Sequence, residues 1–323
     1  MLITRIEKQF IFAMSDAPTK SCHASTVTMT ADGGLCAAWF GGTKESDDDV
    51  RIWTSVRENG AWSDPLKIEA RQGVAHWNPV LYTRENGEIL LFYKVGRTIP
   101  EWQTYVCVSK DGGKSFGESR ELVEGDIGGR GPVKNKPIRL SDGTLLAPSS
   151  TETPELWSCF VDVSTDDGIT FTKADIPVPT ESNFPKRLTM IQPTLWESEK
   201  GCVHALCRTN RGYAYRSDSH DFGRNWCEPY ITPVPNNNSG LDLTQLENGT
   251  LALVSNPTAK ARTPLTLSFS NNNGVTFSHA LTLEDTEGEY SYPAIIADGS
   301  TLYITYTYQR KSIAFVTVEL AED

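Results

Sequence analysis

The sequence predicts an all-β fold: a six-bladed β-propeller with four-stranded antiparallel blades and Asp-box turns, forming a single domain over residues 1–323. Three observations predict it. First, an SxDxGxxF/W segment recurs: Ser109 opens SKDGGKSF, Ser164 opens STDDGITF, Ser219 opens SHDFGRNW and Ser270 opens SNNNGVTF, with a worn copy, SVRENGAW, at Ser55. The copies start 51–55 residues apart, a period that marks a repeat architecture. Second, a longer unit made of two apolar runs flanking a glycine turn occurs six times. Third, no stretch sustains the 3.6-residue periodicity of an amphipathic helix.

In chain order, the first run, ITRIEKQFIF, is a strand without a hairpin partner of its own. Six hairpins follow: STVTMTADGGLCAAWF, PVLYTRENGEILLFYK, PIRLSDGTLLAPSS, PTLWESEKGCVHALCR, LDLTQLENGTLALVSN and PAIIADGSTLYITYTY. Their turn glycines are Gly33, Gly87, Gly143, Gly201, Gly249 and Gly299. Asp-Gly and Asn-Gly turns signal hairpins because the turn residues must accept positive φ. Five of the hairpins lead into an Asp-box-like turn, which closes a second hairpin and brings each unit to four strands. The sixth has none before the chain ends, so ITRIEKQFIF is expected to complete the last blade beside IAFVTVEL. Closure of this kind leaves only short, protected edges. A large β-sandwich would not account for the period.

Within SKDGGKSF, the Asp111 carboxylate is suited to accept backbone N–H groups inside the turn. Gly113 takes the positive-φ position, and Phe116 packs the turn onto its blade. These motifs read as structural staples. A calcium loop would need six or more oxygen ligands, and the carboxylates are too few.

Composition narrows the functional classes. A net charge of −11 argues against generic binding to nucleic acid or an anionic membrane. No apolar run approaches the ~20 residues of a membrane span. The N-terminal MLITRIEKQFIFAM lacks a basic region followed by an apolar run, so a cytoplasmic location is expected. Seven cysteines is an odd number, without a CxxC pair. Cys22, Cys36, Cys107, Cys159, Cys202 and Cys207 mostly lie in strand-like contexts, as reduced buried thiols would. The histidines (His23, His76, His204, His220 and His279) show no metal-ligand spacing. HExxH, GxSxG and nucleotide-binding glycine loops do not occur, so no metal or cofactor is expected.

A propeller gathers the starts of its innermost strands at its centre. The residues expected just ahead of those strands are His23 in CHAST, His76, Trp77 and Asn78 in HWNPVL, and Lys134 and Lys136 in VKNKPI. Gln192 in IQPTL, Ser239 in NSGLDL, and Tyr290 and Tyr292 in EYSYPAI complete the set. Nearly all are polar, which packing does not explain; a water-filled channel mouth is the bland alternative. Lys94, at the end of the second hairpin, is a further candidate for substrate binding. Arg208 ends the strand VHALCR, and Arg262 lies just before a strand in unit five. A guanidinium at such a place needs an anion, either a substrate carboxylate or a structural partner such as Asp242 or Glu289. In GGTKESDDDV, Asp49 precedes a strand. It is either part of a solvated acidic face or a general acid with a raised pKa.

This pattern resembles the sialidase (neuraminidase) superfamily over essentially the whole chain. It is closest to the BNR/Asp-box repeat sialidase-like group, through HAST at His23, WFGGT at Trp39, WNPVL at Trp77, KNKP around Asn135, NSG at Asn238 and EYSYPA at Glu289. The resemblance implies an arginine cluster gripping a substrate carboxylate, with Arg208 and Arg262 as its second and third members. It also implies a nucleophilic tyrosine at Tyr290 and an acid/base at Asp49. Two positions depart. His23 stands where the first arginine is expected, and Gln192 where a glutamate would activate the tyrosine. A neutral amide cannot take that proton, so Glu289 or Asp242 must do so, or the chemistry differs. Three functions follow: an exo-glycosidase on a terminal acidic sugar, a lyase on a rhamnosyl-glucuronate type linkage with His23 as base, or a non-catalytic binder of acidic sugars. Each has an acidic oligosaccharide as partner, with Asn78, Lys94, Lys134, Lys136, Asp242, Tyr292 and Glu289 among the contacts.

Overall fold

The computed structural model describes residues 1–179 and 187–321. The chain opens with β1 (Ile3–Phe10). The first blade is β2 (Ser21–Met29), β3 (Leu35–Gly42) and β4 (Arg51–Glu58). Two short strands, β5 (Ala61–Trp62) and β6 (Leu66–Ile68), share its fourth position by both pairing β4. The second blade is β7 (His76–Thr83), β8 (Ile89–Val95), β9 (Gln103–Ser109) and β10 (Arg120–Glu121). The third is β11 (Ile138–Arg139), β12 (Leu145–Glu152), β13 (Trp157–Ser164) and β14 (Thr172–Asp175). The fourth is β15 (Met190–Glu199), β16 (Cys202–Thr209), β17 (Tyr213–Ser219) and β18 (Tyr230–Pro235). The fifth is β19 (Asp242–Gln245), β20 (Leu251–Ser255), β21 (Leu265–Ser270) and β22 (Ser278–Glu284). The sixth is β23 (Tyr290–Asp298), β24 (Thr301–Tyr308) and β25 (Ser312–Leu320), with β1 as its fourth strand.

The fold is thus a six-bladed β-propeller of antiparallel sheets, as the repeats predict. The blades fall three and three into two compact units, Met1–Ile127 with Glu289–Asp323, and Gly128–Gly288. All six predicted turn glycines have positive φ, between 53° and 88°. In the first unit a core of Val27, Leu35, Ala37, Trp39, Ala294, Ile313 and Phe315 joins the first and sixth blades. In the second, Leu146, Val161, Leu195, Val203 and Ala205 join the third and fourth, and Trp196, Leu206, Leu243 and Leu253 join the fourth and fifth.

The Asp boxes follow the third strands of the second to fifth blades. In the second blade, Ser109 Oγ donates to Asp111 Oδ1 at 2.8 Å and accepts from Gly113 N at 2.8 Å. Asp111 then accepts from Ser115 N at 2.9 Å and Ser115 Oγ at 2.5 Å. The same bonds recur around Asp166 and Asp221. The motif also has a packing role. A Cβ on Gly223 would lie 2.6 Å from Leu146 Cδ1 of the preceding blade, and one on Gly113 would lie 2.7 Å from Cys36 Sγ. The turn therefore pins its own blade and docks it on the one before.

One expectation needs correcting. His23, His76, Trp77, Asn78, Gln192, Tyr290 and Tyr292 do not precede their strands; they lie inside β2, β7, β15 and β23. Each of these strands breaks register near its start, between His23 and Thr26, Trp77 and Val80, Ile191 and Thr194, and Ser291 and Ala294, and β15 shifts again between Glu197 and Glu199. A residue with positive φ occupies each break near a strand start: Ala24 (56°), Asn78 (42°), Gln192 (53°) and Tyr292 (53°). Such bulges re-aim side chains and bend a strand beside functional sites. Lys134 and Lys136 precede β11, and Ser239 precedes β19, as expected.

Candidate functional site

In the first unit the polar residues gather where the bulge of β23 meets the turn between β24 and β25. That turn, Tyr308–Lys311, holds Gln309 at φ 51° and Arg310 at φ 57°. Hairpin turns with two successive residues at positive φ ordinarily carry asparagine and glycine there. Here both side chains are put to work. Gln309 Nε2 donates to Tyr290 Oη at 3.0 Å. Arg310 donates through Nε to Glu289 Oε1 at 2.8 Å and through Nη1 to Glu45 Oε2 at 2.6 Å. Ser291 Oγ also donates to Glu289 Oε1, at 3.0 Å. Tyr290 is 0% exposed and packs on Tyr308, with ring centroids 5.2 Å apart. His23 Nδ1 lies 2.8 Å from Thr307 Oγ1, and its ring centroid lies 4.2 Å from that of the half-buried Tyr292.

Asp49 lies on the loop after β3. Its carboxylate accepts Thr43 N at 3.0 Å on each oxygen and Thr43 Oγ1 at 2.8 Å. The Thr43 backbone bond, helped by its hydroxyl and by Arg51, holds the Asp49 carboxyl below its usual range despite some burial. The raised pKa expected from the acidic run is therefore corrected: hydrogen-bond donors, not an apolar wall, set its environment.

Asn78 and Lys94 belong to the second blade. Both are buried, and Lys94 Nζ donates to Thr104 Oγ1 at 2.7 Å. His76 tethers the loop before β7. Its Nε2 accepts from Ala70 N at 3.0 Å, while Nδ1 lies 2.8 Å from Val74 O. Burial pushes its pKa down to about 4.

The second unit carries a cationic cluster. Arg208, opposite Ile191 across β15 and β16, donates through Nε to Asn238 Oδ1 at 2.8 Å and through Nη1 to Gln192 Oε1 at 3.0 Å. These amide oxygens orient the guanidinium without cancelling its charge. Lys136 Nζ sits 3.1 and 3.0 Å from the two oxygens of Asp242, which also accepts Thr194 Oγ1 at 2.7 Å. Lys134 Nζ donates to Asn135 Oδ1 at 2.7 Å and Leu241 O at 3.0 Å. Burial lowers the Lys134 pKa to about 7; Asp242 opposes this, while Lys136 and Arg208 add to it. Asn135 Nδ2 in turn donates to Gln192 O and Pro193 O at 3.1 and 3.0 Å, fixing the bulge of β15. Burial raises the Glu152 pKa, and Arg208 works against that rise. Arg262 is half-buried.

The two carboxylates nominated to replace a missing tyrosine base are thus held by cations, Glu289 by Arg310 and Asp242 by Lys136. Sequence reasoning missed Gln309, Arg310, Glu45 and Thr307. The signal was present in TYTYQRKSIAF, a hairpin turn lacking glycine, asparagine and aspartate. Among the described residues, no group of three or more His, Cys, Asp or Glu is placed to hold a metal ion, and no helix is long and apolar enough to cross a membrane.

The BNR repeat-like domain model matches residues 33–304. No curated protein matches the chain. Among solved structures, the Hadza microbial sialidase Hz136 superposes with a TM-score of 0.80 at 19% identity, covering 97% of this chain and 68% of its own. A Dyadobacter fermentans protein of unknown function gives 0.80 at 16% identity, covering 98% and 99%. The NanB sialidase of Streptococcus pneumoniae gives 0.74 at 13%, covering 97% and 70%. At these identities the likeness is one of fold.

Proposed function

The chain belongs to the BNR repeat-like domain family, and from that premise we propose that it is a sialidase-like exo-glycosidase removing a terminal acidic sugar from an oligosaccharide. The observation that carries the proposal is Arg208, buried and oriented by the Asn238 and Gln192 amides, beside the buried Lys134 and the half-buried Lys136 in a protein of net charge −11. Buried charge is costly, and a planar guanidinium oriented by amides suits a carboxylate. In this reading Arg208 and Arg262 hold the substrate carboxylate. Tyr290 Oη, oriented by the Gln309 Nε2 donor, bonds to the anomeric carbon and gives its proton to Glu289 as the glycosidic C–O bond breaks, and water then releases the sugar from the tyrosine. Asp49 protonates the departing oxygen. A tyrosine suits this task, because a neutral nucleophile is repelled less by a carboxylate beside the anomeric carbon. Replacing Tyr290 with Phe should abolish sugar release from a sialoside while leaving binding intact. Full retained turnover would overturn the assignment.

The contact between His23 and Tyr292 favours a second reading, elimination at a uronic acid. His23 would take the C5 proton, the C4–O bond would break, a C4=C5 double bond would form, and Tyr292 would protonate the leaving oxygen. The pH profile separates the two. Asp49, held low, is protonated only in acid, so glycosidase kcat/KM should fall as pH rises out of the acid range. A histidine base acts only when neutral, so the lyase should lose rate in acid, and its product should absorb in the ultraviolet.

A further inference from the structure

A cleft of about 700 Å³ opens on the first unit beside the end of β3. Lys20, Lys67 and Lys311 line it with Asp49 and the partly exposed Trp53. Three lysines against one carboxylate make the lining cationic in a protein of net charge −11. Lys67 also pairs with Glu69 at 3.6 Å, so Lys20 and Lys311 carry the excess positive charge of the lining. Trp53 Nε1 donates to Gly41 O at 3.2 Å, which fixes the indole. A fixed indole offers a flat face to the C–H side of a sugar ring.

The cleft adjoins the strand that carries His23 and the turn that carries Gln309 and Arg310. Lys20 directly precedes β2, and Lys311 directly follows Arg310. Cys22 N donates to Arg310 O at 2.9 Å, and Gly42 pairs with Ser21. Asp49 lies in the lining itself.

We propose that this cleft binds a second anionic sugar ring, on the leaving-group side of the cleaved bond. The substrate would then be an oligosaccharide acidic at consecutive rings. The assignment to the leaving-group side rests on the proposed role of Asp49; binding of an acidic saccharide in the cleft does not. The volume falls within the range that small-ligand sites occupy, and the lysines act as point charges on separate carboxylates.

The test is calorimetry on the full chain with trigalacturonate, and with maltotriose as a neutral control. The wild type should bind trigalacturonate, more weakly at higher salt, and should bind maltotriose far less. Lys20→Ala with Lys311→Ala should weaken trigalacturonate binding at least about fivefold, and Lys311→Glu by more, with melting temperatures unchanged. Lys110→Ala, at an exposed lysine of the second blade's Asp-box turn outside the cleft lining, should leave this affinity within about twofold. Absence of wild-type binding, equal binding of maltotriose, or indifference to the lysine substitutions would overturn the proposal. An equal loss in Lys110→Ala would overturn it too, while leaving the exo-glycosidase reading to the turnover of Tyr290→Phe.

Discussion

At the scale of single residues, His76 shows how one buried side chain sets a pH response. Its Nε2 accepts the Ala70 N–H, so protonation would turn an acceptor into a donor facing a donor. Burial, helped by the Arg51 charge and opposed by the Val74 bond, keeps the folded pKa near 4, against about 6.5 in the unfolded chain. Between those values the unfolded state binds more protons, so His76 costs stability progressively as pH falls from 6.5 to 4 and costs none above. His76→Asn should be less stable than wild type at pH 7.5, by about 1–2 kcal/mol for the lost bond. Its denaturant-derived stability should match wild type at an intermediate pH and exceed it at pH 4. Parallel curves would show that His76 does not titrate in this window. The side chain itself was legible as polar among apolar neighbours, but its tether to Ala70 was not, because nothing in HWNPVL announces a contact six residues upstream.

At the scale of elements, the Asp box is the motif most completely legible in the sequence, because every bond in it is local. Ser115 donates through its side chain and backbone and draws the Asp111 carboxyl down to about 2, against mild burial. Burial raises Asp166, but the Thr170 bonds outweigh it, again to about 2. A depressed carboxyl stabilises the fold above about 4, and that stability is lost as pH falls through 2. The fifth blade carries Asn272 at this position and keeps the turn: Asn272 Oδ1 accepts from Ser270 Oγ at 2.9 Å and Thr276 N at 3.0 Å, while Nδ2 donates to Thr276 Oγ1 at 2.8 Å. Asp111→Asn with Asp166→Asn should therefore fold, with a melting temperature that changes less than wild type between pH 4 and 2. An undiminished acid dependence would place the sensitive carboxylates elsewhere. The bulges in β2, β7, β15 and β23 were not legible in the same way. Positive φ at Ala24, Gln192 and Tyr292 is held by partners distant in sequence, such as Asn135 for Gln192, and no local signal marks them. Proline after Asn78, Gln192 and Tyr292 is the only trace, and it became meaningful once the strands were seen to continue through it.

At the scale of the molecule, the repeat period fixed six blades before any strand was placed, and the missing sixth Asp box assigned the N-terminal strand to the last of them. That pairing now carries a consequence for the chain as a whole. β1 runs antiparallel to β25 from Ile3↔Leu320 to Phe10↔Ala314, so the two ends of the chain share one sheet. Its side chains are mostly exposed, apart from contacts such as Phe10 on Tyr308 at 5.0 Å. Its contribution is therefore chiefly the ladder of backbone bonds. The anchor into the core comes just after it: Ile11 and Phe12 are buried, Ile11 N donates to Ile313 O at 2.9 Å, and Ser312 Oγ donates to Phe12 O at 2.8 Å. Deleting residues 1–10 while keeping Ile11 and Phe12 should leave the core packed but expose β25, whose SIAFVTVEL is strongly β-forming, as an open edge. The truncated protein should keep its far-ultraviolet strand signal, melt at a lower temperature, and associate with rising concentration in light scattering. A monomer with an unchanged melting temperature would mean that β1 seals nothing. A chain that failed to fold at all would mean that the ladder, and not the Ile11 and Phe12 anchor, holds the sixth blade together.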